Sequence, residues 1–296
     1  MKHNITLWLK LLLVTLGLFL SLFLLWIFLP AADSTLDPEY AVLTANDEII
    51  TQSSPIDHCD SLWFFYACYS NGNKRTEFIN AIPEIKIIND EKYYVELTTN
   101  KSIQDVISIS IEDNILDIDL QDNCYKRVHE EDSSYDYDSG LYVDCTVFDI
   151  TIHAPISSFR TNTQTVLDFD VAKSDKTTID FSFEGTQANI YNIDTKNLWF
   201  NCSGSSDVTL SGSVSFEASL MVWHDTRVDA TELKADFSDN YVSNYPFGIS
   251  YIKHDGIIEF NPFDLGSVLT VALIGFPIMW LCLCIKYIRR LFNCTK

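Results

Sequence analysis

Short stretches of alternating apolar and polar residues run through the middle of the chain, and such alternation places every second side chain on one face of a strand. Residues 85–88 (IKII), 93–97 (YYVEL), 106–111 (VISISI), 115–120 (ILDIDL) and 147–152 (VFDITI) are each rich in Ile, Val or Tyr, and turn-formers such as NDEK, TTNKS and EDN separate them. No amphipathic helical stretch of convincing length lies among them. The pattern predicts an all-β domain.

Beyond Pro155 the alternation becomes periodic. Apolar alternations start at Ile179, Leu198, Phe216 and Leu233, which are 19, 18 and 17 residues apart. A small or polar turn follows each (EGTQA, SGSSD, HDTR, SDN), and then a second short strand near Ile190, Val208, Val228 and Val242. A repeat too small to bury its own apolar face predicts stacked coils with a shared core, a parallel β-helix of about 18 residues per coil. The segment NCSGSSDVTLSG, residues 201–212, is then a corner between strands. It is not a serine-nucleophile loop, because it lacks a G-x-S-x-G elbow and no helix-forming sequence follows. In the alternation L-x-F-x-C, Cys202 falls on the side of Leu198 and Phe200, which places it inside a ladder with Phe183, Leu220 and Phe237.

Two uncharged apolar runs flank this region, residues 11–29 and 265–285, each about the 20 residues that a membrane-crossing helix needs. A cleaved signal peptide is the alternative for the first, since LPAA follows it, but its apolar run is long for a signal core and no clean small-x-small site appears. All 41 acids lie between residues 33 and 264, with 14 of the 20 basic residues, a formal charge of −27; both ends carry only basic charge. Positive ends stay on the cytoplasmic side. The expectation is a two-span protein of the cytoplasmic (inner) membrane with both termini inside and residues 33–264 outside. Its parts are a cytoplasmic N-terminus (1–10), a span (11–29), a juxtamembrane and capping segment (30–81), the β domain (82–258), a second span (265–285) and a basic tail (286–296). So acidic an exterior excludes nucleic acid as a partner.

Five cysteines fall between the spans. Cys59 and Cys68 close a short loop and Cys124 and Cys145 bracket an acidic stretch, so these two pairs are the economical disulfide candidates, with Cys202 left over. The run Glu130, Glu131, Asp132, with Asp136 and Asp138 beyond it, offers oxygen ligands of the kind calcium takes, but it lacks the remaining spaced acids of an EF-hand. A solvated acidic loop is the plain alternative, and no other cofactor is indicated. A second set of carboxylates, Asp168, Asp170, Asp180, Asp207, Asp225, Asp229, Asp236 and Asp239, follows the repeats; a close pair among them could serve acid and base roles in sugar cleavage. Residues 63–66 (WFFY) read as a hydrophobic plug over one end of the coils, or else as a partner-binding or membrane-interface patch. Trp223 and His224 read as a rim aromatic and a surface histidine.

Three stretches resemble the GIN domain, described as an auto-transporter adhesin head: IPEIKIINDEKYYVELTTN, FDITIHAPISSFRT and the repeat at 198–212. The resemblance implies a right-handed parallel β-helix and carries over no catalytic residue. This chain departs from it in having only 10 glycines, with HDTR and SDN replacing two Ser-Gly turns. Asn and Asp tolerate the left-handed turn conformation, so the coils can survive that change.

The combined expectation is a right-handed β-solenoid between two transmembrane helices, acting without catalysis as a scaffold or adhesion module that binds an envelope protein or polysaccharide. A polysaccharide-cleaving β-helix using paired aspartates, or an envelope sensor, is the alternative.

Overall fold

A computed structural model describes residues 41–66, 73–128, 138–174, 176–237, 239–243 and 249–261, all within the compact unit Glu39–Lys296. Its first half contains β1 (Ala41–Thr44), β2 (Ile49–Pro55), β3 (Ser61–Phe64), β4 (Asn73–Ile79), β5 (Glu84–Ile88), β6 (Tyr94–Asn100), the single-turn helix α1 (Lys101–Gln104), β7 (Ile107–Glu112), β8 (Ile115–Leu120), β9 (Lys126–Val128) and β10 (Asp138–Asp144). Its second half contains β11 (Phe148–His153), β12 (Ser158–Thr161), β13 (Val166–Asp170), β14 (Thr178–Glu184), β15 (Gln187–Ser203), β16 (Asp207–Val222), β17 (Arg227–Lys234), β18 (Tyr241–Val242), β19 (Tyr251–His254) and β20 (Ile257–Glu259). All five strands read from the alternation between residues 85 and 152 are present, as β5, β6, β7, β8 and β11.

The uniform parallel solenoid is not what forms. Sixteen strands join in one mixed sheet that curls into a half-barrel, in the order β2-β6-β11-β5-β13-β15-β14-β12-β3-β8-β7, and β16 to β20 extend it from β15. A solenoid would pair each coil with the next in sequence; here β5 lies between β11 and β13, and the pairs β2/β6, β6/β11, β7/β8 and β19/β20 are antiparallel. A smaller sheet contains β1, β10, β4 and β9. Parallel pairing at a constant offset is confined to the later strands, where Ala188, Val208 and Val228 stand opposite one another 20 residues apart.

The periodicity misplaced one alternation for a definite reason. Opposite the step from Thr195 to Asn197, β16 runs from Val214 to Glu217, one residue more. A bulge of this kind turns neighbouring side chains outward. Ser215 and Phe216 both face solvent, Phe216 is 63% exposed, and Ala218 rather than Phe216 stands opposite Leu198.

Long β15 and β16 pass from one wall of the curled sheet to the other, and each wall turns a buried row inward. Leu97, Ile150, Ile85, Leu167, Ala188, Val208, Val228 and Ile252 form the row on one wall. Leu116, Leu62, Phe159, Phe181, Phe200 and Leu220 form the row on the other. The two walls meet edge to face, with the rings of Phe169 and Phe181 5.7 Å apart. Removing such area from water is the main driving force for the fold, about 1.5–3 kcal/mol for each fully buried large side chain.

The corner at residues 201–212 shows what its small residues do. Gly204 and Ser205 are left-handed (φ 73° and 61°), as is Gly185 (66°) one turn earlier, and His224 and Asp225 (58° and 63°) adopt the same conformation one turn later. HDTR therefore makes the same turn as GSSD at residues 204–207. Beneath these turns Thr165, Thr186, Ser206, Thr226 and Ser250 form a buried stack of hydroxyls. Ser206 Oγ accepts the Thr186 N–H at 2.9 Å and donates to the Ser203 carbonyl at 2.6 Å, so the serines satisfy backbone groups that the corner would otherwise bury unpaired. Gly212 has φ 130°, and a Cβ there would lie 2.3 Å from the Ile193 carbonyl oxygen.

The expected pair of membrane-spanning helices, and with it the two-span inner-membrane location, is not supported. Among the described residues no helix is long and apolar enough to cross a membrane, and residues 11–29 and 265–285 lie outside them. Among the described residues no disulfide is found. Cys59, Cys124 and Cys145 are free thiols, and Cys68 lies outside the described residues. Cys124 Sγ turns to Asn123 Oδ1, whereas Cys145, just past β10, is buried. Burial, reinforced by Asp144, pushes the Cys145 thiol up to about 11, and burial beside Asp60 does the same to Cys59.

Candidate binding face

On the outer surface of the second wall, the positions between the buried ones form two transverse rows. Ser61, Ser158, Asp180, Trp199 and Ser219 lie in one. Asp117, Trp63, Arg160, Ser182, Asn201, Met221 and Tyr241 lie in the other. Neighbouring strands are about 4.8 Å apart, so cross-strand neighbours within a row can touch one ligand together.

Trp199 dominates this face. Alternation with buried Leu198 and Phe200 forces its side chain outward, and 61% of it is exposed. Its cross-strand neighbours are Asp180 and Ser219, and Asn201 lies two residues along the same strand. Arg160 forms a two-point ion pair with Asp180: Nε donates to Oδ1 at 3.3 Å and Nη2 donates to Oδ2. The same guanidinium lies over the Tyr66 ring, 5.6 Å from its centroid, and the Tyr66 and Trp63 rings are 5.6 Å apart. Burial tends to lower the Arg160 pKa, but the hydrogen bond and charge of Asp180 outweigh it and raise the value, so the group stays charged. Tyr66, Arg160, Asp180, Trp199, Asn201, Ser219 and Met221 line an open hollow of about 270 Å³. The rings of Trp223 and Tyr241, 6.4 Å apart, continue the aromatic surface beyond it.

A shallower depression of about 870 Å³ lies on the outer face of the first wall, among Glu84, Lys86, Asp149, Asp168, Gln187, Asn189 and Asp207. Glu84 and Asp149 stand directly opposite each other, and burial together with the Glu84 charge raises the Asp149 pKa.

The structure separates most of the carboxylates read from the repeats. Asp180 pairs with Arg160, Asp229 with Lys253 at 2.8 Å, and Asp170 accepts from Asn192 at 2.8 Å. Asp225 accepts the Ile249 N–H, and Asp168 and Asp207 line the shallow depression. Asp236 and Asp239 contribute backbone carbonyls to Ala218 and Ser219. Of the calcium candidates, Glu130, Glu131, Asp132 and Asp136 lie outside the described residues, and Asp138 opens β10. Among the described residues no group of three His, Cys, Asp or Glu side chains could hold a metal ion.

The WFFY segment is neither wholly plug nor wholly patch. Phe64 and Phe65 are buried in the core, while Trp63 and Tyr66 are half-buried on the outer face, in mid-sheet rather than at an end. Sequence reasoning missed Trp199, Arg160, Glu84 and Asp149. A tryptophan at the polar position of the alternation L-W-F-N-C was the available signal, since the strand period assigns that indole to solvent.

A family model described as "Putative auto-transporter adhesin, head GIN domain" matches residues 79–243. No curated protein matches the sequence. Among solved structures the chain is similar to a "putative adhesin" from Bacteroides fragilis, with 16% identity, coverage of 65% of this chain and 75% of the other, and a TM-score of 0.42. A "putative adhesin" from Parabacteroides merdae is 13% identical, with coverage of 65% and 77% and a TM-score of 0.36. A "putative lipid binding protein" from Parabacteroides distasonis is 13% identical, with coverage of 66% and 78% and a TM-score of 0.36.

Proposed function

Because the chain belongs to the GIN-domain family of auto-transporter adhesin heads, we propose that it is a non-enzymatic adhesion module of the bacterial surface and that the Trp63–Arg160–Trp199 face is what it adheres with. The observation that carries this reading is the exposure of Trp199 beside a fixed Arg160–Asp180 pair. Tryptophan and arginine are the residues most enriched where binding energy concentrates. An indole left in water gains nothing for the fold, whereas covering it on binding recovers its burial energy.

Beads coated with the full-length chain and washed over immobilised bacterial envelopes provide the test. Trp199→Ala combined with Tyr241→Ala should lower bead retention by about tenfold, a loss of about 1.4 kcal/mol, with the melting temperature unchanged. Undiminished retention would overturn the reading.

The adjacency of Glu84 and Asp149 favours one rival, the polysaccharide-cleaving enzyme. Its weakness is physical: the two carboxylates lie on an open face that offers nothing to enclose a substrate or exclude water from it. Under the adhesive reading, Glu84→Gln with Asp149→Asn leaves bead retention unaltered.

A further inference from the structure

We infer that the ligand of the Trp199 face is a neutral saccharide chain running across the strands. This rests on the adhesive reading above and adds the chemistry of what is held. A pyranose ring has an apolar face of C–H bonds and a rim of hydroxyls that both donate and accept. Its recognition calls for a flat aromatic surface with planar, hydrogen-bonding groups at its edge, and the hollow contains that combination.

The indole of Trp199 supplies the flat surface, and its surroundings supply the rim. Asp180 lies beside it across the strands and Asn201 along its own strand, whereas Ser219 on the other side is buried and its hydroxyl donates to the Asp239 carbonyl. Asp180 uses only part of its acceptor capacity on Arg160, and a guanidinium with five N–H donors keeps several after a two-point pair. These groups are held before any ligand arrives: Tyr66 lies beneath Arg160, and the Ser158 hydroxyl donates to the Asp180 carbonyl at 2.6 Å. Groups fixed in advance lose little freedom on binding.

Other ligand classes fit less well. An acyl chain would leave Asp180, Arg160 and Asn201 without hydrogen-bond partners. A polyanion would approach a chain of formal charge −21 against its field. The direction of the ligand follows from the rows. From Trp63 through Arg160, Ser182, Asn201 and Met221 to Tyr241 the row crosses six strands at about 4.8 Å each, a spacing close to the repeat of an extended glycan. Trp63 and Tyr241 place an aromatic ring toward each end of the row, with Asp117 beyond Trp63, so several consecutive sugar units can be held.

The full-length chain should be titrated with cello-, chito-, malto- and xylo-oligosaccharides from dimer to hexamer, with oligogalacturonate as the anionic comparison, following tryptophan fluorescence and heat. At least one neutral series is expected to bind, with affinity rising about tenfold from dimer to hexamer, and oligogalacturonate is expected to bind more weakly. Trp199→Ala and Arg160→Ala should each weaken binding by about tenfold, Trp199→Phe by less, and Asp229→Asn not at all. Absence of binding by every neutral series at about 10 mM, weaker than most specific recognition, overturns the inference; so does binding indifferent to Trp199→Ala. If no sugar binds while Trp199→Ala still lowers bead retention, the saccharide inference alone fails. If Trp199→Ala leaves retention intact, the adhesive reading fails.

Discussion

Phe183 and Cys202 stand directly opposite each other on β14 and β15, and Val222 on β16 lies across from Cys202 on its other side. The interior position read from L-x-F-x-C is therefore occupied, although the next rung is Val222 rather than Leu220. Cys202 is fully buried, and burial pushes its thiol up to about 12. Mass-spectrometric mapping after thiol labelling of the native chain should find Cys202 unmodified, because the reactive thiolate is almost absent at neutral pH. Cys202→Ala should cost about 1 kcal/mol, in the ordinary range for a small core truncation. Rapid native labelling would contradict this placement.

Gly212 is a glycine that the sheet cannot replace. With φ 130° and the Ile193 carbonyl oxygen 2.3 Å from where a Cβ would sit, Gly212→Ala must displace β15 or β16. We expect a loss of more than about 1 kcal/mol, read from chemical denaturation, because the backbone conformation and the space are both wrong for a side chain. Gly256→Ala is the comparison, since φ there is 75° but nothing lies within 4 Å of its Cβ. Equal losses at the two sites would show that close approach contributes nothing.

The bulge in β16 separates two phenylalanines that the repeat treats alike. Phe200 is 1% exposed and Phe216 is 63% exposed. Phe200→Ala should cost about 3–5 kcal/mol, whereas Phe216→Ser should change stability by less than about 0.5 kcal/mol. Comparable losses would place Phe216 in the core and remove the bulge.

Asp229 links stability to acid. Hydrogen bonds from Lys253 and Thr231 lower its pKa from 3.8 to about 2. A carboxylate with a depressed folded-state pKa contributes stability above its unfolded pKa and loses that contribution as pH falls through the folded value. Denaturation midpoints of the parent and of Asp229→Asn should therefore differ at pH 5 and converge as pH falls from about 4 to about 2. The difference will be small because both partners of the pair are exposed to solvent. A gap that persists at the acid end would mean that ionisation is not its source.

The strands were legible in the sequence because alternation reports burial one residue at a time, and the short segments at 85–88, 93–97, 106–111, 115–120 and 147–152 mostly alternate. The connectivity was not. Nothing in IKII says that it will lie between Phe148–His153 and Val166–Asp170, since strand order depends on pairings between distant segments. The local repeat suggested a uniform stack because residues 187–254 do pair at offsets near twenty, and that regularity was extended to strands that pair otherwise. The binding face was half legible: WFFY drew notice for its aromatics, but Arg160 and Asp180 are neighbours only across β12 and β14, and no spacing along the chain brings them together.

The crossed strand order also governs how the molecule is made. Ala41 must wait for Leu141, Glu84 for Asp149, and Ser61 for Ile115 before their strands acquire partners. At about 5–20 residues per second, a growing chain leaves β1, β3 and β5 unpaired for seconds, their backbone edges free to join those of other chains. The later strands gain a neighbour about every twenty residues and need no such delay. The vulnerable interval in biogenesis closes only when β11 to β13 emerge, so truncations ending before residue 148 should aggregate, whereas those ending after residue 222 should not.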